Sequence, residues 1–179
     1  MKDKEEYALI LDYLPYGYPL EGKMMPIAQA VGKKNFTLLE IVPRRGLKLE
    51  TKEEVYIGEG KRDKVYYILG KLNFNKMTEA AKAVLQEYIK KQVSENEKRF
   101  VDFFNNSQPI NTRLHQLELL PGFGKKHTQA IIKERERKTF EGFEDLKTRI
   151  SNLPDIETTI VKRILEELKG EERHYLFVN

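Results

Sequence analysis

The stretch INTRLHQLELLPGFGKKHTQAIIKER, residues 110–135, decides the fold of the C-terminal part of this chain. Asn111 can cap a short helix that ends at Pro121, since proline disfavours helical continuation before it. A Gly-Phe-Gly turn follows over residues 122–124, and a second helix begins at Lys125. The pattern predicts two helices joined by a tight turn.

The two glycines allow the tight turn and leave its main chain accessible. One of them relieves the φ constraint at the end of the first helix. Neither Gly122 nor Gly124 has a Cβ atom, so the main-chain N–H groups stay accessible. These groups lie at a helix N-terminus, where free amides and the positive dipole end attract an anion, and Lys125 and Lys126 are placed there. We expect Phe123 to point inward and the turn to hold a phosphate without reading bases.

The candidate nucleic-acid contacts continue into the first turn of the second helix. His127 could contact a phosphate, although an ordinary surface histidine is an equally good interpretation. The predicted site therefore consists of seven consecutive residues: Gly122, Phe123, Gly124, Lys125, Lys126, His127 and Thr128.

This segment closely resembles the helix-hairpin-helix motif, with Leu-Pro-Gly-Phe-Gly-Lys-Lys at residues 120–126 as its hairpin. Thr128 departs from the motif, which usually has a small alanine there. The resemblance continues to about residue 169, and Leu-Pro-Asp-Ile at residues 153–156 resembles a second hairpin whose glycine positions are Asp155 and Glu157. It implies a tandem unit in which only the first copy binds phosphate. In the alternative interpretation, the first hairpin only turns the chain or contacts protein.

The first 72 residues alternate short β-rich runs with turn residues, which predicts a sheet. Five strands in so short a segment favour a closed or nearly closed barrel, because closure removes exposed edges, and an OB-like barrel is the natural candidate. The predicted strands cover residues 7–14, 25–31, 36–42, 54–57 and 64–72.

A helical period begins at Thr78, where apolar residues recur at helical spacing. Ser94 and Glu97 form a capping-box pattern, which predicts that a second helix begins there. The polar stretch 105–109 ends it and is the predicted domain boundary. The chain is thus predicted to be α+β, with four segments: an OB-like β-barrel (1–75), a helical connector (76–109), an all-α tandem helix-hairpin-helix domain (110–170) and a C-terminal tail (171–179).

Over nearly its full length the chain resembles an archaeal family of unknown function whose members are described as candidate RNA- or nucleotide-binding proteins. Genes of that family often neighbour ribosomal-protein and rRNA-methyltransferase genes. The resemblance therefore implies RNA slightly ahead of DNA, and an association with ribosomes or RNA processing.

Charge is distributed unevenly along the chain. The net charge of +4 permits a polyanionic partner. Residues 111–138 carry seven Lys or Arg against three Glu, whereas residues 139–179 carry six against nine acidic residues. A nucleic acid should therefore meet the first of these segments.

The N-terminal region adds candidate contacts of its own. Arg44, Arg45, Lys61 and Arg62 could attract phosphates through charge alone, and the alternative is that they lie on solvated loops. Exposed tyrosines beside such cations could stack on bases. Strand alternation, however, predicts Tyr66 and Tyr67 on opposite faces, with at least one of them in the core.

Composition excludes several classes of function. The chain has no cysteine, which excludes disulfides, thiolate metal sites and cysteine catalysis. No pair among its three histidines has metal-ligand spacing, and we predict neither a metal nor a cofactor. We find no membrane-spanning apolar run and no signal-peptide pattern, which predicts a cytoplasmic protein with no membrane partner.

The sequence favours a non-enzymatic nucleic-acid-binding protein that contacts the phosphate backbone of RNA or DNA. A DNA-repair glycosylase is the enzymatic alternative, because Lys126 and Asp145 roughly match the lysine and aspartate of that family. Such enzymes need a larger helical scaffold with a pocket for a flipped base. A protein-interaction module is a third possibility.

Overall fold

The computed structural model describes residues 3–22 and 24–178, and it divides into two compact units. The first unit contains the chain up to Glu87 together with the part from Glu166 onward. The second unit is Tyr88–Leu165. The predicted boundary at residues 105–109 lies inside this second unit.

Five antiparallel strands form the sheet of the first unit, as the alternating β-rich runs predict. The first strand has the predicted ends, and the ends of the other four lie within two residues of the predicted ones. The strands are β1 (Tyr7–Leu14), β2 (Ile27–Gly32), β3 (Leu38–Pro43), β4 (Glu54–Tyr56) and β5 (Val65–Lys71).

The strands are ordered β4-β1-β2-β3-β5, and the sheet curls around one apolar core. All five strands contribute to this core, from Ala8 on β1 to Val65 on β5. Among the described residues β4 and β5 do not pair with each other, so the sheet is an open half-barrel and not a closed one. With only three residues, β4 offers few main-chain groups for a second ladder.

Edge strand β5 carries two bulges. Val42 pairs with Tyr67 and Pro43 with Val65, so Tyr66 has no cross-strand partner; Leu69 is skipped in the same way. A bulge residue is left unpaired and the strand bends at it. Tyr66 is 66% exposed and Tyr67 36%, so the prediction that one of them lies in the core was wrong. Simple alternation fails because the bulge shifts the register.

The opposite face of β1 and β2 is tied to the start of the first long helix by hydrogen bonds. The buried Gln29 side chain accepts from the Thr78 N–H at 3.0 Å and donates to the Lys76 carbonyl at 2.9 Å. The Thr78 hydroxyl donates to Asp12 at 2.6 Å. These bonds satisfy polar groups that burial would otherwise make costly.

Five α-helices follow, α1 (Glu79–Glu95), α2 (Glu97–Asn106), α3 (Lys125–Arg137), α4 (Phe143–Arg149) and α5 (Ile156–Leu168). The predicted capping box at Ser94 is wrong, because α1 continues through Ser94 and α2 begins at Glu97. The Glu97 carboxylate does not cap its own helix. It accepts from the Phe143 N–H at 2.5 Å, at the start of α4.

The helix predicted from Asn111 is also replaced by something shorter. Asn111 only caps a turn, accepting from the Arg113 N–H at 2.8 Å. A short 3₁₀ helix, Gln116–Leu119, forms instead, and its N-cap is His115, whose Nδ1 accepts from the Leu117 N–H at 3.1 Å. The Glu118 carboxylate completes this cap by accepting from the His115 N–H at 2.8 Å.

Residues 105–109 are anchored within the second unit, which explains why no boundary falls there. The Asn105 side chain accepts from the Phe140 N–H at 2.8 Å and donates to the Phe140 carbonyl at 2.9 Å. Ser107 is buried and accepts from the Arg135 guanidinium through both its hydroxyl and its carbonyl. The polar residues that suggested a linker form hydrogen bonds to neighbouring elements instead.

Candidate functional site

The glycine turn, residues 120–124, lies between the 3₁₀ helix and α3. The Phe123 N–H donates to the Leu120 carbonyl at 3.0 Å and closes the turn. Gly122 has φ +81°, and a Cβ atom there would lie 3.0 Å from Cγ of Pro154. Gly122 is therefore required by the local backbone conformation and by close packing within the second unit.

Gly124 differs from Gly122, because nothing in the described structure demands a glycine there. Its φ of −115° and ψ of −168° suit any residue, and a Cβ atom would meet no heavy atom within 4 Å. Gly124 is exposed and is the N-cap of α3. It leaves open space in front of the helix N-terminus.

The N-terminus of α3 carries free donors. The N–H groups of Lys125, Lys126 and His127 have no acceptor among the described residues. Gly124 supplies no side-chain cap, and the first turn has no acidic residue. Free amides at the positive end of a helix dipole are the arrangement that binds anions.

The two lysines at this end differ in whether their ammonium groups contact other protein groups. The Lys125 ammonium donates to the Arg113 carbonyl at 3.0 Å and lies 3.4 Å from the Glu118 carboxylate. Lys126 is exposed, with no ion-pair partner among the described residues. Lys126 is therefore the cation freer to meet a ligand.

Two further cations, one beside the turn and one further along α3, were not singled out from the sequence. The contact from Lys125 places the main chain of Arg113 beside α3, and the Arg113 side chain is exposed. Lys133 follows Lys126 by two helical turns, on the same face of α3. The charge of residues 111–138 is the only sequence signal for this pair.

Phe123 and Thr128 are predicted site residues that the structure places in the packing of the turn. Phe123 is buried, as the inward orientation predicts, and its ring lies 6.1 Å from that of Phe104. Thr128 is buried and its hydroxyl donates to the Gly124 carbonyl at 2.9 Å. Neither side chain is available to a ligand, so both act by shaping the turn.

His127 is occupied by protein groups. Its Nδ1 accepts a long 3.4 Å hydrogen bond from the Gly124 N–H, and its Nε2 lies 3.0 Å from the Asn152 carbonyl. Nε2 must then be the protonated nitrogen, since a neutral imidazole has one donor and one acceptor. The ring also packs on Phe123, at 5.6 Å between centroids. The side chain braces the turn in this structure, and its contact with a phosphate stays a prediction.

The turn before α5 is the second predicted hairpin, and its N-terminus is already filled. The Asp155 carboxylate accepts from the N–H and the hydroxyl of Thr158, at 3.0 and 2.5 Å. These hydrogen bonds lower the pKa of Asp155. The Asp155 carbonyl accepts from Thr159, just as that of Gly124 accepts from Thr128. Asp155, and not Glu157, therefore corresponds to Gly124.

The four cations predicted in the N-terminal region lie in the first unit, and they are not equivalent. Arg44 Nε donates to the Arg62 carbonyl at 2.6 Å, and Arg62 Nε donates to the Gly58 carbonyl at 2.8 Å. These two side chains connect loops. Arg45 and Lys61 are exposed, with no ion-pair partner among the described residues.

Asp145, the aspartate of the glycosylase alternative, has protein partners. Its carboxylate accepts from the Glu141 N–H at 3.0 Å and from the Arg149 guanidinium at 3.1 Å. The hydrogen bond from Glu141 and the charge of Arg149 lower its pKa. Asp145 therefore holds the start of α4.

The half-buried Arg135 and the buried His115 lie in the elements on either side of the turn. The Arg135 guanidinium donates to the Phe104 carbonyl at 3.0 Å and to Ser107, which fixes α3 to the end of α2. His115 is only 6% exposed, and its Nε2 has no hydrogen-bond partner among the described residues. Burial, and then the charge of Arg135, lower the pKa of His115.

Comparison with known proteins gives consistent matches over almost the whole chain. The family model described as "Protein of unknown function (DUF655)" matches residues 4–179. The uncharacterized protein MJ0038 of Methanocaldococcus jannaschii is 45% identical over 176 residues, which are 97% of this chain and 80% of that protein. The crystal structure of Af1531 from Archaeoglobus fulgidus, a DUF655 structure, aligns with a TM-score of 0.82 and 44% identity, covering 98% of this chain and 100% of that one.

Both relatives come from archaea, as the resemblance in sequence implies. In the part of the chain that the structure describes, no helix combines the length and apolar character needed to cross a membrane. The family model and the curated relative each cover nearly the full length. The chain belongs to the DUF655 family.

Proposed function

We propose that this protein is a non-enzymatic nucleic-acid-binding protein whose glycine turn is a helix-hairpin-helix hairpin that holds the phosphate backbone. One observation carries the proposal. The N-terminus of α3 has free amides, no internal cap and an exposed Lys126, whereas that of α5 is filled by the Asp155 carboxylate. A phosphate at α3 would take the place that Asp155 takes at α5.

The surroundings of the turn support a polyanionic ligand. Arg113, Lys125 and Lys126 place positive charge at this end of α3, and Lys133 adds charge two turns further along the same face. Main-chain amides and lysines read phosphate oxygens and carry no base information, so the contact has little sequence preference. RNA is the favoured partner over DNA, in association with ribosomes or RNA processing, on the resemblance described above.

The first unit is consistent with an OB-like fold, because five antiparallel strands in a partly open barrel are the architecture of that fold. Its exposed Arg45 and Lys61 add charge for the same ligand. They are secondary to the glycine turn, because they contribute through the charge of exposed side chains alone.

The test measures binding of a labelled RNA duplex and the matching DNA duplex by fluorescence anisotropy, from about 50 to 200 mM salt. We expect Lys126→Glu to weaken both complexes and to reduce the slope of log K against log salt by about one. Lys125→Glu should have a smaller effect, because the Lys125 charge is shared with Glu118. The double variant should lose most of the binding.

Lys98→Glu is the matched control, since Lys98 is an exposed lysine on α2 whose nearest acid, Asp102, is 4.0 Å away. It should leave affinity close to that of the wild type. Equal losses of affinity in Lys98→Glu and Lys126→Glu would show that only the overall charge matters, and they would refute the turn as the binding site. Tighter binding of RNA than of DNA supports the favoured partner, and the reverse order would contradict it.

A further inference from the structure

A groove with an aromatic wall and a cationic rim runs beside the edge strand β5. Apolar side chains form its surface, and the loop after β3 supplies positive charge along it. The residues that matter here are Pro26, Pro43, Leu47, Tyr66, Arg45 and Lys48.

Tyr66 is free to contact a ligand because it sits at a bulge. It has no cross-strand partner and is 66% exposed, although tyrosine has a large apolar ring that folding normally covers. The Tyr67 ring packs edge-on against it, with centroids 5.2 Å apart and an interplanar angle of 72°. The Tyr67 hydroxyl in turn contacts Sδ of Met25 at 3.8 Å. Tyr66 therefore presents a supported ring face.

The charged side chains that line the groove are all positive. Arg44, Arg45 and Lys48 are exposed and line it, and the described lining contains no Asp or Glu. Neither Arg45 nor Lys48 has an ion-pair partner among the described residues. The larger cavity at the other end of the half-barrel differs, because Glu5, Glu54 and other acids line it together with lysines.

We propose that this groove binds an unpaired base of a single-stranded nucleic acid, which stacks on Tyr66 while Arg45 and Lys48 hold the adjacent phosphates. A flat π surface flanked by cations matches the alternation of base and phosphate along a single strand. A duplex cannot offer a free base face, so the groove selects single strands. The inference rests on the proposed function for the class of ligand and adds a second site, in the other unit.

The test compares binding of a labelled single-stranded oligonucleotide with that of an abasic strand of equal length and charge. We expect Tyr66→Ala to weaken binding of the normal strand about 5- to 100-fold and to leave binding of the abasic strand unchanged. Tyr66→Phe should bind like the wild type, because it keeps the ring. The control is Tyr175→Ala, which removes another exposed tyrosine, 43% exposed, from the C-terminal segment.

The same experiment separates this site from the glycine turn. Tyr66→Ala removes no charge, so the salt dependence should stay that of the wild type. Lys126→Glu should weaken duplex binding and keep the preference for the normal over the abasic strand. If Tyr66→Ala binds the normal strand as tightly as the wild type, the inference is overturned. Equal losses on the two strands would overturn it as well, because the ring would then act without bases.

Discussion

The Asp155 carboxylate accepts from both the N–H and the hydroxyl of Thr158, and so fills the N-terminus of α5 with an anion from within the chain. At α3 the corresponding position is Gly124, which has no side chain to do this. The two turns thus share a main-chain hydrogen-bond pattern, but only the turn before α5 has a carboxylate of its own at the helix N-terminus. This difference makes the proposed division of labour testable.

Gly124→Asp should convert the glycine turn into the self-capped form seen at Asp155. The new carboxylate would accept from the free amides of α3, and aspartate is among the best N-cap residues. We expect a gain in the free energy of unfolding of about 0.5–1 kcal/mol, measured by urea denaturation. Nucleic-acid binding should fall at the same time, because the side chain occupies the place of the phosphate. A stabilised variant that binds with undiminished affinity would contradict the assignment of the site.

The two glycines should respond differently to alanine. Gly122→Ala forces a Cβ atom into the left-handed region and to 3.0 Å from Pro154, so we expect a loss of at least about 1–2 kcal/mol. Gly124→Ala adds an atom to open space in an extended conformation and should stay within about 1 kcal/mol of the wild type. Thermal or urea unfolding measures both. Equal destabilisation would mean that Gly124 is needed for folding after all.

Arg135 should be a stability residue that lysine cannot replace. Its guanidinium reaches the carbonyls of Phe104 and Ser107 and the Ser107 hydroxyl together, and a single ammonium cannot reproduce that fork. We expect Arg135→Lys to lower the free energy of unfolding by about 1–3 kcal/mol, since buried acceptors lose their donors. Arg137→Lys is the control, because Arg137 is exposed at the end of α3 and, within the described part of the chain, forms its ion pair with Glu134. Similar stabilities for the two variants would refute this role.

Stability should depend on pH through His115. Burial and the charge of Arg135 lower the folded-state pKa of His115 below 6.5, so the unfolded chain binds the proton more readily. The neutral histidine therefore contributes stability above pH 6.5, and that contribution is lost as the pH falls through the folded-state pKa.

His115→Asn should flatten this part of the profile. Asparagine is a good N-cap and keeps an acceptor for the Leu117 N–H, but it does not titrate. The other two histidines are present in both proteins, so the difference between the two urea midpoints against pH isolates His115. Parallel profiles would rule out the proposed contribution.

Much of the fold follows from local sequence signals. The five strands, the helix after Thr78 and the helix from Lys125 all lie close to their predicted places, because alternation, helical spacing and the glycine turn are local properties. The suspected membership in an archaeal family of unknown function is confirmed. The errors concern helix ends, where the capping partner is set by the tertiary structure and not by the local sequence. Glu97 caps α4 and not its own helix, and His115 replaces Asn111 as the N-cap before the turn.

In the candidate site too, the features set by local sequence could be predicted and those set by distant residues could not. Gly122 and the inward orientation of Phe123 could be predicted, because turn geometry and burial need only a few neighbouring residues. The bracing role of His127 could not, since it depends on Asn152, whose carbonyl comes from the next turn. The exposure of both Tyr66 and Tyr67 could not be predicted, because a bulge is set by the pairing of β3 with β5 and leaves no mark on alternation within β5 alone.

The irregularity of β5 also bears on the sheet edge that this strand forms. A long flat edge with tyrosine and leucine on it would invite pairing between molecules and ordered aggregates. Two interruptions at Tyr66 and Leu69, with Gly70 at φ +156° between Leu69 and Lys71, break the run of main-chain groups that a foreign strand would need. The same kinks that expose the Tyr66 ring thus make this edge a poorer template for pairing with a strand of another molecule.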